Sequence, residues 1–375
     1  MQSSPHWVSD PAALGTHLAG PLARVAIDTE FIRERTYWPQ LALVQIALEV
    51  PGSAEPRILL VDTLVEGMPA ALAPMLSDRS VLKIMHSASE DLIALRQACG
   101  AVPEPLFDTQ IAASLAGVGA GLGYQRLVQE LLGIAVDKGE TRSDWMKRPL
   151  SDSQLAYAAE DVRHLFALHD ALDARLQALG RTAWFAEDCA RLLDGARNDE
   201  LERWPHLALR GAQFLDEAGQ RRLLRLLRWR ELQARRSDRP RSWVLDNDLA
   251  TSLAREAPRD RAALDRMFDA HPKAPRKLAD AILEALGTPL DDEADAPAPR
   301  TSERDRKALR RLQEAVAARS SELGLPEGVL ASRRWLETLL DGEDWPGMLS
   351  GWRRAELEPA LAPLLAVGSE PATPL

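Results

Sequence analysis

The chain has 375 residues, is 46% hydrophobic and 27% charged, and carries a net charge of −10. That is a globular composition long enough for two or three domains; no apolar run approaches the roughly 20 residues that span a bilayer, and Met1 to Asp10 lacks the basic region and apolar core of a secretory signal. Cys99 and Cys189 show neither metal spacing nor a disulfide framework, which fits a reducing cytoplasm, and the acidic balance argues mildly against a nucleic-acid partner unless one domain carries a basic face.

Taken in order, residues 5–20 read as a short helix after a loose terminus. Apolar segments bounded by turn residues follow at Val25–Phe31, Leu41–Leu48 and Arg57–Asp62, three strands of a meander. Residues 67–77 read as a helix and Val81–Met85 as a fourth strand. Ser87-Ala88-Ser89-Glu90 has the form of a capping box, so a helix is expected to start there. Leu106-Phe107-Asp108 is a short fifth strand, with helices from about 109 to 133. A second box, Ser151-x-x-Gln154, is flanked by Leu150 and Leu155 at the positions of a hydrophobic staple. It predicts a helix from Ser151 to about Leu179, stopped by Gly180. Strands first, then strands alternating with helices, imply a mixed α/β sheet with helices on its faces.

After Gly180 strand signals vanish and helical periodicity takes over. Residues 221–277 carry 16 Lys and Arg against 8 Asp and Glu, a net of +8. Residues 288–303 are acidic and rich in Pro and Ala, a linker composition, and helices resume from about 304 to 365. A weak internal repeat is visible. Residues 223–254 run basic helix, Arg239-Pro240, Val244-Leu245, amphipathic stretch; residues 309–340 run helix, Leu325-Pro326, Val329-Leu330, Trp335 to Leu340. Two small helical modules joined by a linker is the simplest organisation.

The chemistry-bearing pattern starts where Val25-Ala26-Ile27 runs into Asp28, with Glu30 two positions on. Side chains two apart on a strand share a face, so these carboxylates stand side by side. They repel, and one protonates unless a cation sits between them; oxygen-only ligands suit a hard ion such as Mg²⁺ or Mn²⁺. A strand ending in two solvated acids is the alternative. Asp91 falls in the first turn of the helix after the fourth strand. An acid there also suits the helix dipole, but strand ends and the helix starts that follow them are where α/β sheets gather site residues. Tyr157 and Asp161 are four apart, hence on one helix face. A phenol there can hold a water beside a metal bound to the carboxylate; a Tyr on the apolar stripe and an exposed Asp is the alternative. Together the four acids form a cluster that needs divalent metal, and two hard metals roughly 4 Å apart would serve in-line attack on a phosphodiester. His86 reads as a packed or hydrogen-bonded residue, not a ligand.

Three stretches carry a family resemblance: Asp-Thr-Glu-Phe-Ile-Arg-Glu-Arg-Thr-Tyr-Trp-Pro-Gln-Leu-Ala-Leu-Val-Gln-Ile (28–46), His-Ser-Ala-Ser-Glu-Asp-Leu (86–92), and Ser-Asp-Trp-Met-Lys-Arg-Pro-Leu-Ser-Asp-Ser-Gln-Leu-Ala-Tyr-Ala-Ala-Glu-Asp-Val (143–162). They resemble ribonuclease D, a bacterial 3′→5′ exoribonuclease family of the DEDD superfamily, Tyr-type branch. The resemblance is specific over about residues 20–200 and looser over 212–365, where the helical modules look like HRDC domains. It implies an RNase H-like exonuclease domain in residues 1–205, HRDC-like domains at 212–290 and 304–367, and a linker at 291–303. Carried over by motif, the catalytic set is Asp28, Glu30, Asp91, Tyr157 and Asp161. The family implies two Mg²⁺ or Mn²⁺ ions, with Asp28, Glu30 and Asp161 around the first. Asp28 would bridge to the second, Asp91 would assist directly or through water, and Tyr157 would orient the nucleophilic water.

Phe31 stands where the superfamily often packs an apolar side chain on the terminal nucleotide, with core packing an equal alternative. Arg33, Arg35, Arg142 and Lys147 lie near the motifs, either to meet substrate phosphates or as solvated loop residues. Trp145 either stacks on a base or anchors the third-motif helix. The implied activity is release of nucleoside 5′-monophosphates from RNA 3′ ends, tRNA precursors among them, in the cytoplasm, with no membrane and no protein partner. The basic segment would add salt-sensitive backbone affinity, so deletion from residue 212 onward is expected to weaken RNA binding and spare turnover of very short substrates. A proofreading-type 3′-5′ exodeoxyribonuclease and a non-catalytic nucleic-acid-binding scaffold are the alternatives.

Overall fold

The structure is a computed structural model that describes residues 4–53, 55–136, 143–198, 201–297, 303–326, 328–340, 345 and 347–368. The chain divides into two compact units, one of residues 1–32, 39–199 and 308–375, the other of residues 33–38 and 200–307. No described helix is long and apolar enough to cross a membrane.

The first unit is built on a mixed sheet of β1 (His6–Val8), β2 (Arg24–Ile32), β3 (Gln40–Leu48), β4 (Arg57–Asp62), β5 (Leu82–Met85) and β6 (Leu106–Asp108), ordered β1-β4-β3-β2-β5-β6. β2, β3 and β4 form the expected antiparallel meander, and β1, β5 and β6 pair in parallel. β1 corrects the reading of residues 5–20. Only α1 (Pro11–His17) is helical there, while His6–Val8 pairs with Leu59–Val61 as an edge strand. Three residues are too few to show a period, and their ladder partner is remote in sequence.

Leu41–Leu48 of β3 is buried throughout, which is why it reads as one apolar run: both sheet faces are covered. Ala26, Leu43 and Ala47 pack with α4 (Thr109–Leu115), α5 (Tyr124–Leu132), α6 (Asp152–Arg163) and α7 (Leu165–Ala178). Val25, Ile27, Val44 and Ile46 pack on the other face with α1, α2 (Met68–Ser77) and α3 (Ser89–Cys99). The box at Ser151 forms, with Gln154 N–H donating to Ser151 Oγ at 3.2 Å and Ser151 N–H to Gln154 Oε1 at 3.0 Å. The helix does not run unbroken to Leu179. It ends at Arg163, and His164 separates it from α7. Tyr124 closes that break, its O–H donating to the Glu160 carbonyl (2.8 Å) and its oxygen accepting from His164 N–H (3.1 Å).

The box at Ser87 does not form. Ser87 has φ 56°, and no side chain of that segment caps α3. Asp108 instead holds the turn that leads into α3. Its carboxylate accepts from Ala88 N–H (2.8 Å) and Ser87 N–H (3.3 Å) and also caps α4 through Gln110 and Ile111. A carboxylate is the stronger acceptor for exposed helix N–H groups, and it arrives from β6, out of reach of local spacing rules.

α8 (Thr182–Asn198) completes this part of the chain. The second unit follows. Its helices α9 (Glu217–Ser237), α10 (Arg241–Val244), α11 (Asn247–Glu256), α12 (Arg261–Asp269) and α13 (Ala279–Gly287) enclose Leu223, Leu227, Leu249, Leu264, Phe268 and Ile282. Asp216, Asp246 and Asp260 cap α9, α11 and α12. Residues 33–38 belong here: Tyr37 O–H donates to Glu231, and the N–H groups of Tyr37 and Trp38 both donate to Asp238 Oδ1 at 3.0 Å. Many arginines of the basic segment are engaged internally. Arg225 pairs with Glu293, Arg228 with Asp292, Arg261 with Asp265 and Asp280, and Arg235 and Arg241 with Glu231. Asp280, Asp292 and Glu293 lie beyond residue 277, so the net of +8 overstates the outward charge. Asp292 and Glu293 also lie in the segment read as a linker, whose first residues are thus bound to α9.

The chain returns to the first unit with α14 (Glu303–Leu323), α15 (Arg333–Leu340) and α16 (Trp352–Gly368). The repeat shows in the order of elements: α9 and α14 each have 21 residues, and each is followed by a Pro-containing turn and a second helix. α14–α16 share the core of α4–α7. Trp184 of α8 stacks on Trp352 at 4.4 Å and 9°. Asp188 accepts from Arg353 at 2.5 and 2.8 Å and from Trp352 Nε1 at 3.0 Å. Gly351 has φ 61°, and a Cβ there would run into the Glu187 carboxylate that accepts from Trp352 N–H, so no other residue fits.

Candidate active site

β2 and α6 build the site. Asp28 and Glu30 alternate with Ala26 on the α6 face of β2, and α6 packs against β2, β3 and β4 through its small, buried Ala158 and Ala159. A bulge sits beside Glu30: Glu30 pairs with Leu43 but Phe31 with Leu41, leaving Ala42 over. Such an extra residue re-aims its neighbours. The Ala42 carbonyl accepts from Arg148 Nη2 at 2.7 Å. Arg148 also grips Asp62 through both carboxylate oxygens (3.0 and 2.6 Å) and donates to the Trp145 carbonyl (2.8 Å), tying the segment before α6 to the sheet.

Asp28, Glu30 and Asp161 each offer a carboxylate oxygen within 4.8 Å of the others. Tyr157 is hydrogen-bonded to Asp161. Asp91 is not in that group of three. It is 8% exposed in the first turn of α3 and accepts from Thr29 Oγ1, the residue between Asp28 and Glu30.

The electrostatics follow from crowding buried acids. Burial, then the charges of Asp91, Asp161 and Glu30, hold the Asp28 carboxyl well above the usual range. Burial and the Asp161 and Asp91 charges push Glu30 up to about 8. Burial raises Asp161 to about 7 against the opposing Tyr157 bond, and Asp91 to about 6 against the Thr29 bond. Burial, with the Asp161 and Glu30 charges, raises the Tyr157 phenol, which therefore stays protonated near neutrality. Three hard oxygen donors that repel one another fit a divalent cation, which would displace the protons they otherwise hold.

A pH dependence follows. Unfolded carboxyls titrate near 4, so between about pH 4 and 8 the metal-free folded state holds more protons than the unfolded state. Stability from these groups is full below that window and is lost as pH rises through it. Thermal unfolding in EDTA should show a midpoint that falls from pH 5 to pH 8, with Mg²⁺ or Mn²⁺ removing most of the fall. A flat or rising midpoint in EDTA would contradict this assignment.

The remaining sequence candidates fall in different places. Phe31 is half-buried and packs against the core on the opposite sheet face from Asp28, as in the core-packing alternative. Trp145 is 4% exposed, in the core beside Tyr157 with ring centres 6.1 Å apart, the position of an anchor and not of a stacking platform. Arg33 and Arg35 belong to the second unit, where Arg33 Nε donates to the Tyr37 carbonyl at 2.8 Å. Lys147 is exposed, 3.8 Å from Asp144. Arg142 lies outside the described residues. His86 Nδ1 bonds Thr109 Oγ1 at 2.9 Å, packed as expected. Sequence reasoning missed Thr29, Asp108, Arg148 and Gln45. Of these only Gln45 left a signal, as the lone polar residue between Leu41 and Leu48.

Comparisons with known proteins agree with this geometry. A 3′-5′ exonuclease family model matches residues 5–177, and an HRDC domain model matches residues 219–286. Ribonuclease D of Xanthomonas oryzae pv. oryzae is 60% identical over 363 residues, 96% of this chain and 98% of that protein. Ribonuclease D of Granulibacter bethesdensis is 38% identical over 349 residues, 88% and 84% of the two chains. The crystal structure of Escherichia coli RNase D, an exoribonuclease involved in structured RNA processing, matches with a TM-score of 0.78 at 28% identity, covering 97% of this chain and 99% of that one. Identity at this level along nearly the whole of both chains extends to the enzyme and not to the fold alone, and the chain belongs to the ribonuclease D family of metal-dependent 3′-5′ exoribonucleases.

Proposed function

We propose that this enzyme trims RNA 3′ ends in the cytoplasm, tRNA precursors and other structured RNAs among them, releasing nucleoside 5′-monophosphates with two Mg²⁺ or Mn²⁺ ions. The observation that carries this reading is the meeting of Asp28, Glu30 and Asp161, from two remote segments, with their oxygens within 4.8 Å. Asp28, Glu30 and Asp161 would hold the first ion, with Asp28 reaching the second and Asp91 assisting directly or through water. Divalent ions bound there lower the pKa of an attacking water and neutralise charge on the leaving 3′ oxygen. Tyr157, held neutral by burial and by the charges around it, is a hydrogen-bonding guide and not a base. Its O–H is engaged with Asp161, and its oxygen is free to accept from the attacking water and set its direction.

A single-stranded end suits the site best, because a paired base resists being drawn into a pocket. The basic segment 221–277 would be the RNA-holding part, with exposed Arg236, Arg239, Lys273 and Lys277 on phosphates.

Incubation with a 3′-extended tRNA, a single-stranded RNA and a matched DNA, with and without EDTA, tests this reading. Expected are 5′-monophosphates from both RNAs, none in EDTA, and slower release from DNA. Equal kcat/KM on DNA and RNA, or RNA release that survives EDTA, would overturn it.

A further inference from the structure

Gln45 is fully buried in β3, and neither atom of its amide has a hydrogen-bond partner among the described residues. A buried amide in that state is destabilising, and a Leu or Met would pack in its place without the penalty. Its position follows from the ladder. Gln45 pairs with Asp28 across β2 and β3, and alternation with Leu43 and Ala47 puts it on the α6 face. Residues directly opposite in an antiparallel pair have Cβ atoms about 5 Å apart. The other neighbours along and across the ladder, Leu43, Ala47 and Leu60, are apolar, and Asp62, held by Arg148, pairs with Leu43 and not with Gln45. The polar side chain that the strand register sets directly beside Gln45 is Asp28.

We propose that Gln45 is a positioning residue for Asp28, its side-chain N–H donating to the Asp28 carboxylate when that group is ionised at a bound divalent cation, and so fixing which oxygen faces the metal. This rests on the reading of Asp28, Glu30 and Asp161 as metal ligands. A carboxylate has more lone pairs than a metal uses, and a donor behind it selects its orientation.

The test is Mn²⁺ affinity of the full chain without RNA, from the electron paramagnetic resonance signal of free Mn²⁺, beside thermal unfolding in EDTA. Gln45→Met should bind Mn²⁺ roughly 10- to 100-fold more weakly, with an unfolding midpoint in EDTA equal to or above the parent's. Gln45→Asn, whose amide is withdrawn by one methylene, should also weaken binding, and it decides the matter should the Met variant not fold. Affinity within about twofold of the parent in the folded variants, whatever their turnover, overturns the proposal. Absence of Mn²⁺ binding by the parent, or binding unchanged in Asp28→Asn, overturns the metal site itself and the proposal with it.

Discussion

Asp28→Asn should lower single-turnover trimming of a 5′-labelled single-stranded RNA by at least about 1,000-fold, roughly 4 kcal/mol of transition-state stabilisation. The same substitution should raise the unfolding midpoint in EDTA at pH 8. Both effects have one cause. Asp28 is half-buried beside Asp91, Asp161 and Glu30, and loss of water and then those three charges disfavour its ionisation. On the proposed reading that charge would be needed to hold the metal; without metal, it is a repulsion that a neutral amide relieves. A variant that merely disturbed packing would lose both activity and stability. Turnover within tenfold of the parent would remove Asp28 from the catalytic set.

Truncation after residue 307 should lower the unfolding midpoint of the first unit by about 10 °C and reduce turnover of long and trinucleotide substrates alike. The reason is that α14–α16 are part of that unit's core. Truncation strips Arg353 and Trp352 from the half-buried Asp188 and uncovers the stacked face of Trp184. Asp188 keeps Arg191 at 2.7 Å, so the loss comes from the opened core as well, where Leu312, Leu330 and Leu357 pack. Emptying even one such core position costs about 2–5 kcal/mol, and each kcal/mol shifts the midpoint by about 2–4 °C in a domain of this size. Arg353→Met should reproduce part of the loss with the chain otherwise whole. Deletion from residue 212 onward removes the same contacts, so sparing of short substrates, expected from sequence, is no longer the outcome to look for. A normal midpoint for residues 1–307 would show that α14–α16 are an independent module.

Much of the site was legible because its residues are related by backbone periods. Asp28 and Glu30 share a face because strands repeat every two residues. Tyr157 and Asp161 share one because they are four apart on a helix whose start is marked by the Ser151 and Gln154 bonds. The strands from β2 to β6 were readable as apolar runs between turns. The three-residue β1 was not, because an edge strand that short is defined only by its partner Leu59–Val61.

What remained hidden shares a physical reason: the deciding partner lies far along the chain. Ser87 has the spacing of a cap, yet Asp108 from the next strand binds the N–H groups of Ser87 and Ala88 and the box does not form. The break at His164 is satisfied by Tyr124 from α5. The basic segment counts as +8 until Asp292 and Glu293 are seen on Arg228 and Arg225. Arg148 carries no local signal, because its acceptors, Asp62 and the Ala42 carbonyl at the bulge, lie on strands 86 and 106 residues away. The sequence by itself determined which side chains share a face, where α6 starts and which family's motifs are present, because these depend on local spacing. Only the tertiary structure decided that three of the acids meet within one ion's reach while Asp91 stands behind Thr29, that Gln45 sits opposite Asp28, and that the last helices belong to the catalytic unit. Each of those depends on sheet register and side-chain packing between segments that no local period relates.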